Sequence, residues 1–413
     1  MNKKSVYGWV ICIAWFPFYG DAADKIASRD AVQSLDRYLK IAREARPNIK
    51  TQNFLKIALT KVDAAKVRNL LWADRVDFLR KDRSMEMKSK VIRHGDLEMP
   101  FEYFVYGDKP KDGRSLFISM HGGGNAPKRV NDSQWENQKR LYRPKEGVYL
   151  APRAPTDTWN LWHQGHIDPM FLRLIENMVA LEEVNPNRVY LMGYSAGGDG
   201  VYQLAPRMAH YLAAAAMMAG HPNETSPLGL RNLPFAIHVG ERDGGYNRNK
   251  VAIQWKDKLE KLNESDPKGY IHYVRIHAGR GHWMNREDAV AVEWMAKYNR
   301  NPYPQTIVWK QDDVLHDHFY WVSLPKGQAK AREEIKASIV GQEIRLEGPS
   351  GKKMDLNLND DLIFLDKAVI VSSGEKILFK GKVSRTVAQL SESLELYKDR
   401  AYIFSSKITV KLP

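Results

Sequence analysis

Short, continuous apolar runs alternate with amphipathic stretches between residues 95 and 303, and this alternation restricts the fold more than any other feature. The runs are Ser115–Met120, Val148–Leu150, Arg188–Met192, Ala213–Ala219, Phe235–Val239 and Tyr270–Ile276. Each has strand length; all but the last, which carries His272 and Arg275, lack polar alternation and must be covered on both faces. Between them, Phe171, Leu172, Ile175 and Val179 repeat at helical spacing, with Asp168 as expected N-cap and Pro169 in the first helical position; residues 250–262 form a second such stretch. Strands that alternate with helices in this way predict an α/β domain with a mostly parallel sheet.

The flanks read differently. Residues 23–94 are patterned as helices: Val32, Leu35 and Leu39 mark one, and Phe54, Ile57, Ala58 and Val62 a second. Residues 304–413 hold short β-type runs, among them Ile307–Trp309, Phe319–Val322, Ile344–Leu346, Leu356–Leu358, Ala368–Val371, Ile377–Phe379 and Tyr402–Phe404, separated by turn residues, which predicts an all-β module. Trp309, Phe319, Tyr320 and Trp321 could form a binding platform there or pack in its core.

At the start of the chain, Lys3 and Lys4 precede an apolar stretch from Val6 to Tyr19, and small residues follow at Gly20, Ala22 and Ala23. That order predicts a secretory signal over residues 1–22 and an exported, periplasmic or extracellular protein. The stretch is short for a membrane span and contains Pro17, so stable insertion is not expected after cleavage. The single cysteine, Cys12, lies inside it. The mature chain would then have no disulfide, cysteine-bound zinc or thiol nucleophile. The net charge of +14 is spread along the chain without a polybasic run, which argues for a solvated basic surface and against nucleic acid as partner.

The chemistry concentrates at Gly193-Tyr194-Ser195-Ala196-Gly197, between the run ending at Met192 and a helix-like stretch from Val201 to Met208. A G-x-S-x-G sequence at a strand-to-helix turn is the pattern of a nucleophile elbow: small neighbours let the backbone turn sharply and expose the serine hydroxyl. His121-Gly122-Gly123-Gly124 follows the run Ser115–Met120. Backbone amides of Gly123 and Gly124, joined by Ala196 after the serine, are the expected donors to an oxyanion. His282, in a glycine-bounded loop after Tyr270–Ile276, is the expected base. Asp243, in Gly240-Glu241-Arg242-Asp243-Gly244 after Phe235–Val239, is the expected orienting acid, with Glu241 as its rival. Trp159, Trp162 and Trp283 are candidate substrate-binding rings. The pairs His163/His166 and His316/His318 could bind a metal, but two histidines at such spacing are a weak signal, so no metal is expected, and the chemistry requires no cofactor.

The set His121–Gly124, Gly193–Gly198, Asp243 and Gly281-His282 resembles the α/β-hydrolase superfamily. Within it the chain is similar to exported esterases grouped with poly(3-hydroxybutyrate) depolymerases, feruloyl esterases and prolyl-oligopeptidase-like hydrolases. The resemblance covers residues 95–300. It implies a serine hydrolase acting on a small or polymer-linked carboxylic ester, polysaccharide-linked or polyester-like. A prolyl-oligopeptidase-like peptidase and a non-catalytic polysaccharide-binding protein on the same fold are the alternatives.

Overall fold

The computed structural model of the chain describes residues 19–413, with side chains from residue 23. The expected signal segment, Cys12 included, lies outside the described residues apart from the backbone of residues 19–22. Among the described residues no helix is long and apolar enough to cross a membrane.

Three helices open the chain: α1 (Tyr19–Lys40), α2 (Lys61–Asp82) and α3 (Ser84–Ser89). The apolar cluster at Phe54–Val62 does not form a helix of its own. Asn53–Lys56 make a 3₁₀ turn, and Ala58 and Leu59 pair with Thr386 and Arg385. The α2 helix starts only where Thr60 caps it by accepting the Asp63 amide at 3.1 Å. The buried Asp63 carboxylate in turn takes the Ser28 and Thr60 hydroxyls at 2.6 and 2.9 Å, tying α1 to the start of α2.

The central sheet has eight strands: β1 (Val91–His94), β2 (Leu97–Tyr106), β3 (Arg114–Met120), β4 (Gly147–Pro152), β5 (Val184–Tyr194), β6 (Ala214–Met218), β7 (Phe235–Gly240) and β8 (His272–His277). Their spatial order is β1-β2-β4-β3-β5-β6-β7-β8. β2 runs antiparallel to β1 and β4, and all later pairings are parallel. β1 falls inside the stretch read as helical, because four residues closing a hairpin at Gly95 are too few to show a period.

Alternate residues of each strand feed two separate cores, one on each face. Leu116, Ile118, Leu150, Leu191, Met217 and Ile237 join α5 (Ile167–Leu181), α6 (Ala196–Arg207) and α7 (Arg248–Ser265), whereas Phe117, Tyr149, Tyr190, Ala216 and Ala236 join α8 (Val290–Met295). A parallel sheet buried on both faces by helices, in this order, is the α/β-hydrolase fold. Asp168 lies in the first turn of α5 without capping it, since its carboxylate is held by the buried Arg207 at 2.9 Å.

Residues 306–411 form two further sheets. Thr306–Lys310, Glu334–Val340, Glu343–Glu347, Val369–Ser373 and Lys376–Gly381 make one; His318–Phe319, Val322–Ser323, Lys353–Leu358 and Ser406–Lys411 make the other. Trp309, Phe319, Tyr320 and Trp321 are core residues, each at most 2% exposed. Tyr402 and Phe404 are not in a strand; their apolar character reflects complete burial. The region also contains a helix, Val387–Tyr397, whose Val387, Leu390 and Leu394 pack with Leu35, Leu55, Val67 and Leu71 of the N-terminal segment. The two flanking segments therefore share one core. Tyr211 bonds His318 at 2.9 Å, and the Tyr402 hydroxyl donates to the His210 carbonyl at 2.6 Å, joining the β-rich region to the turn that leads into β6 of the central sheet.

Candidate active site

Ser195 occupies the turn between β5 and α6 with φ 59° and ψ −122°, a left-handed conformation that a side chain rarely adopts. The turn is possible because a Cβ at Gly193 would lie 2.2 Å from the Gly197 carbonyl oxygen, and one at Gly197 would lie 2.2 Å from that of Met120. The Ser195 amide donates to the Met218 carbonyl at 2.9 Å and pins the elbow to β6.

The loops after β7 and β8 meet beside it. A Cβ at Gly240 would lie 2.0 Å from the Gly281 carbonyl oxygen, so only glycine permits the approach. The Arg242 amide donates to the Arg280 carbonyl at 2.8 Å, and the Gly279 amide to Glu241 Oε2 at 2.7 Å. Glu241 is thus a brace between the two loops. The neighbouring Asp243, 3% exposed, lies 2.9 Å from His282 Nδ1, and His282 Nε2 lies 3.0 Å from Ser195 Oγ. A carboxylate can only accept, so Nδ1 carries the proton and Nε2 is free to accept from the serine hydroxyl. Tyr194 latches the histidine loop: its hydroxyl donates to the His282 carbonyl at 2.6 Å and accepts the Met284 amide at 3.1 Å.

On the other side of Ser195 lies the loop after β3. His121 is fully buried. Its Nδ1 donates to the Gly122 carbonyl at 2.6 Å and its Nε2 accepts the Ala154 amide at 3.1 Å, which fixes its tautomer. Burial lowers its pKa to about 4, so it is a neutral strut. A Cβ at Gly122 would lie 3.1 Å from the Ser195 Cβ, and Gly123 and Gly124 have φ of +111° and +81°. Among the described residues the Gly123 and Ala196 amides have no protein acceptor. The Gly124 amide does: it donates to Asn131 Oδ1 at 2.8 Å. This corrects the expectation that all three amides face an oxyanion. Gly124 is committed to holding the loop against α4 (Lys128–Gln138), and two free donors remain.

A cavity of about 550 Å³ opens over Ser195 and His282. Trp159 lines it with 59% of its surface exposed. The other two candidate rings do not. Trp162 is completely buried under the glycine loop, where its Nε1 donates to the His121 carbonyl at 2.9 Å. Trp283 leans on Tyr194, with ring centres 5.7 Å apart, and lies outside the lining.

Sequence reasoning missed five lining residues: Asn125, Asp199, Asn223, Tyr246 and Arg248. Asp199 is visible in principle, one helical turn after Ser195. Its carboxylate accepts the His221 amide at 2.6 Å, and burial raises its pKa to about 6. Among the described residues, the acidic trio Glu224, Asp312 and Asp313 could in principle hold a cation, but none of the three lines this cavity.

No family model matches the chain. Over 161 residues it is 27% identical to the bifunctional acetylxylan esterase/xylanase XynS20E of Neocallimastix patriciarum, a match that takes in 37% of this chain and 23% of that protein. The chain thus spans about a quarter of the length of this curated relative. A thermostable esterase structure aligns over 51% of this chain and 62% of its own, at 19% identity and a TM-score of 0.39. FphF, a fluorophosphonate-binding serine hydrolase of Staphylococcus aureus, aligns over 50% and 96%, at 11% identity and a TM-score of 0.38.

Proposed function

We propose, from the premise that the chain has an α/β-hydrolase fold, that it is a serine hydrolase cleaving carboxylic esters, with Ser195, His282 and Asp243 as its catalytic residues. The reading rests on one continuous chain of contacts: Ser195 Oγ to His282 Nε2 at 3.0 Å, and His282 Nδ1 to Asp243 Oδ2 at 2.9 Å. As the Ser195 oxygen attacks the ester carbonyl, His282 takes its proton and Asp243 stabilises the imidazolium that forms. The carbonyl oxygen becomes an anion beside the free amides of Gly123 and Ala196; each such donor contributes about 3 kcal/mol to the transition state. Collapse expels the alcohol, which takes the proton back from His282, and leaves an acyl-serine. Water, deprotonated by the same imidazole, then releases the acid.

The cavity suggests a substrate larger than a simple acetate. Trp159 and Tyr246, 59% and 78% exposed, offer flat apolar faces on which sugar rings stack. A polysaccharide-linked acyl ester suits these faces, and the relative named for acetylxylan esterase activity supports the same class. Export by residues 1–22 is part of this proposal, since such polymers lie outside the cell.

The purified protein is to be assayed on acetylated xylan, methyl ferulate, 3-hydroxybutyrate oligomers and proline p-nitroanilides. Acid release from an ester, with none of the anilides cleaved and all activity lost in Ser195→Ala, is expected. Anilide cleavage alone would move the assignment to a peptidase. No turnover, together with binding to xylan, would favour a polysaccharide-binding protein.

A further inference from the structure

Arg248 begins α7, four residues after the turn that carries Asp243, and lines the cavity above Ser195. It forms no ion pair with any described carboxylate. Its Nε is buried and bonds nothing, and its Nη1 makes only a 3.4 Å contact with the Gly245 carbonyl. The guanidinium lies 4.8 Å from the ring centre of the exposed Tyr246, which orients its plane without neutralising it. A buried guanidinium donor without an acceptor is costly unless a ligand supplies one.

The other charged groups around the cavity sharpen the point. Asp199 is the one carboxylate in the lining; burial raises its pKa to about 6 against the His221 amide and the Arg248 charge, so at neutral pH it is ionised and offsets part of that charge without pairing with the guanidinium. His221, Tyr246 and His282 are the remaining titratable groups there. Arg248 is the one lysine or arginine in the lining and its Nε has no partner, on a molecule of net charge +14 whose long-range field favours anions.

Resting on the ester-hydrolase reading, we infer that Arg248 recognises a carboxylate carried by the substrate close to the scissile ester. A carboxylate matches the planar fork of a guanidinium and accepts two charge-assisted bonds from it. The carboxylate could belong to the acyl half, as in a dicarboxylic half-ester, or to the alcohol half, as in an acylated uronic acid.

The test compares two matched pairs. Mono-4-nitrophenyl succinate against 4-nitrophenyl butyrate probes the acyl side. Acetylated glucuronic acid against acetylated glucose probes the alcohol side. In wild type the acidic member of one pair has the higher kcat/KM, and the pair that shows it identifies the half carrying the charge. Arg248→Gln lowers that acidic-to-neutral ratio roughly 10–100-fold, mainly through KM, and Arg248→Lys restores part of it. The rate of Ser195 labelling by a fluorophosphonate checks that each variant keeps a formed site. A ratio unchanged by Arg248→Gln in both pairs, or a wild-type preference for both neutral members, overturns the inference while leaving the hydrolase reading intact. Failure of wild type to turn over all four esters overturns the hydrolase reading, and this inference with it.

Discussion

The amide of Gly124 donates to the side-chain oxygen of Asn131 at 2.8 Å, and the same buried side chain donates from Nδ2 to the Ala126 carbonyl at 3.0 Å. One asparagine thus closes the loop whose neighbouring amide, that of Gly123, is left free beside Ser195. Asn131→Ala removes the partners of two part-buried backbone groups and is expected to destabilise the protein by about 1 kcal/mol. It also lets the Gly123 amide drift, so kcat should fall on the order of 10-fold. Chemical denaturation and steady-state kinetics on one ester check both. A variant with wild-type kcat would remove Asn131 from the account of the site.

Asp243 accepts from His282 and thereby selects its tautomer. Asp243→Asn offers an amide that can donate to Nδ1, leaving the proton on Nε2, where it blocks acceptance from the serine. The expected loss in kcat is on the order of 10⁴-fold, with little change in stability. Glu241→Gln, by contrast, touches only the brace to the Gly279 amide and should cost far less activity. Reversal of that ranking would make Glu241 the orienting acid.

Tyr194 holds the histidine loop through a hydroxyl that bonds both the His282 carbonyl and the Met284 amide. Tyr194→Phe removes both bonds and keeps the ring. The imidazole then samples more orientations, so kcat should drop roughly 10-fold with KM nearly unchanged. A change confined to KM would indicate that Tyr194 acts on substrate binding instead.

The strand-end positions of Ser195, Asp243 and His282 are legible because apolar runs and flanking glycines report local constraints: a buried strand must be apolar, and a tight turn needs glycine. Other features depend on contacts between distant segments. Nothing around Gly124 signals that Asn131, on the next helix, will take its amide. Trp162 reads like Trp159, yet one is buried beneath the glycine loop and the other stands in the cavity wall. Arg248 resembles the many surface cations of a basic chain until the turn at Asp243 brings it to the cavity. The eight-strand order is likewise set by packing, since two cores must be built from alternate residues of the same strands. The helix Val387–Tyr397 escaped notice because strands surround it in the chain.

Acid should unfold the protein early. Burial lowers the pKa of His121, His163 and His316 from 6.5 to about 4, and that of His238 to about 3. The unfolded chain binds those protons near pH 6.5 and the folded one does not, so their contribution is present above pH 6.5 and is lost as pH falls towards 4. Asp199, raised from 3.8 to about 6 by burial, acts in the opposite sense: it favours the fold below pH 3.8, and that contribution is lost as pH rises through 6. Asp288 and Asp312 are raised in the same direction. Four histidines, shifted by more than Asp199, outweigh these carboxylates. The denaturation midpoint should be clearly lower at pH 4.5 than at pH 7, and equal midpoints would contradict the burial of these rings.

Peptide mass spectrometry after fluorophosphonate treatment tests the central claim most directly. A single phosphonylated peptide carrying the adduct on Ser195 is expected, with no adduct in Ser195→Ala and much slower labelling in His282→Ala. An adduct on a different serine, or labelling and ester turnover that survive in Ser195→Ala, would contradict it.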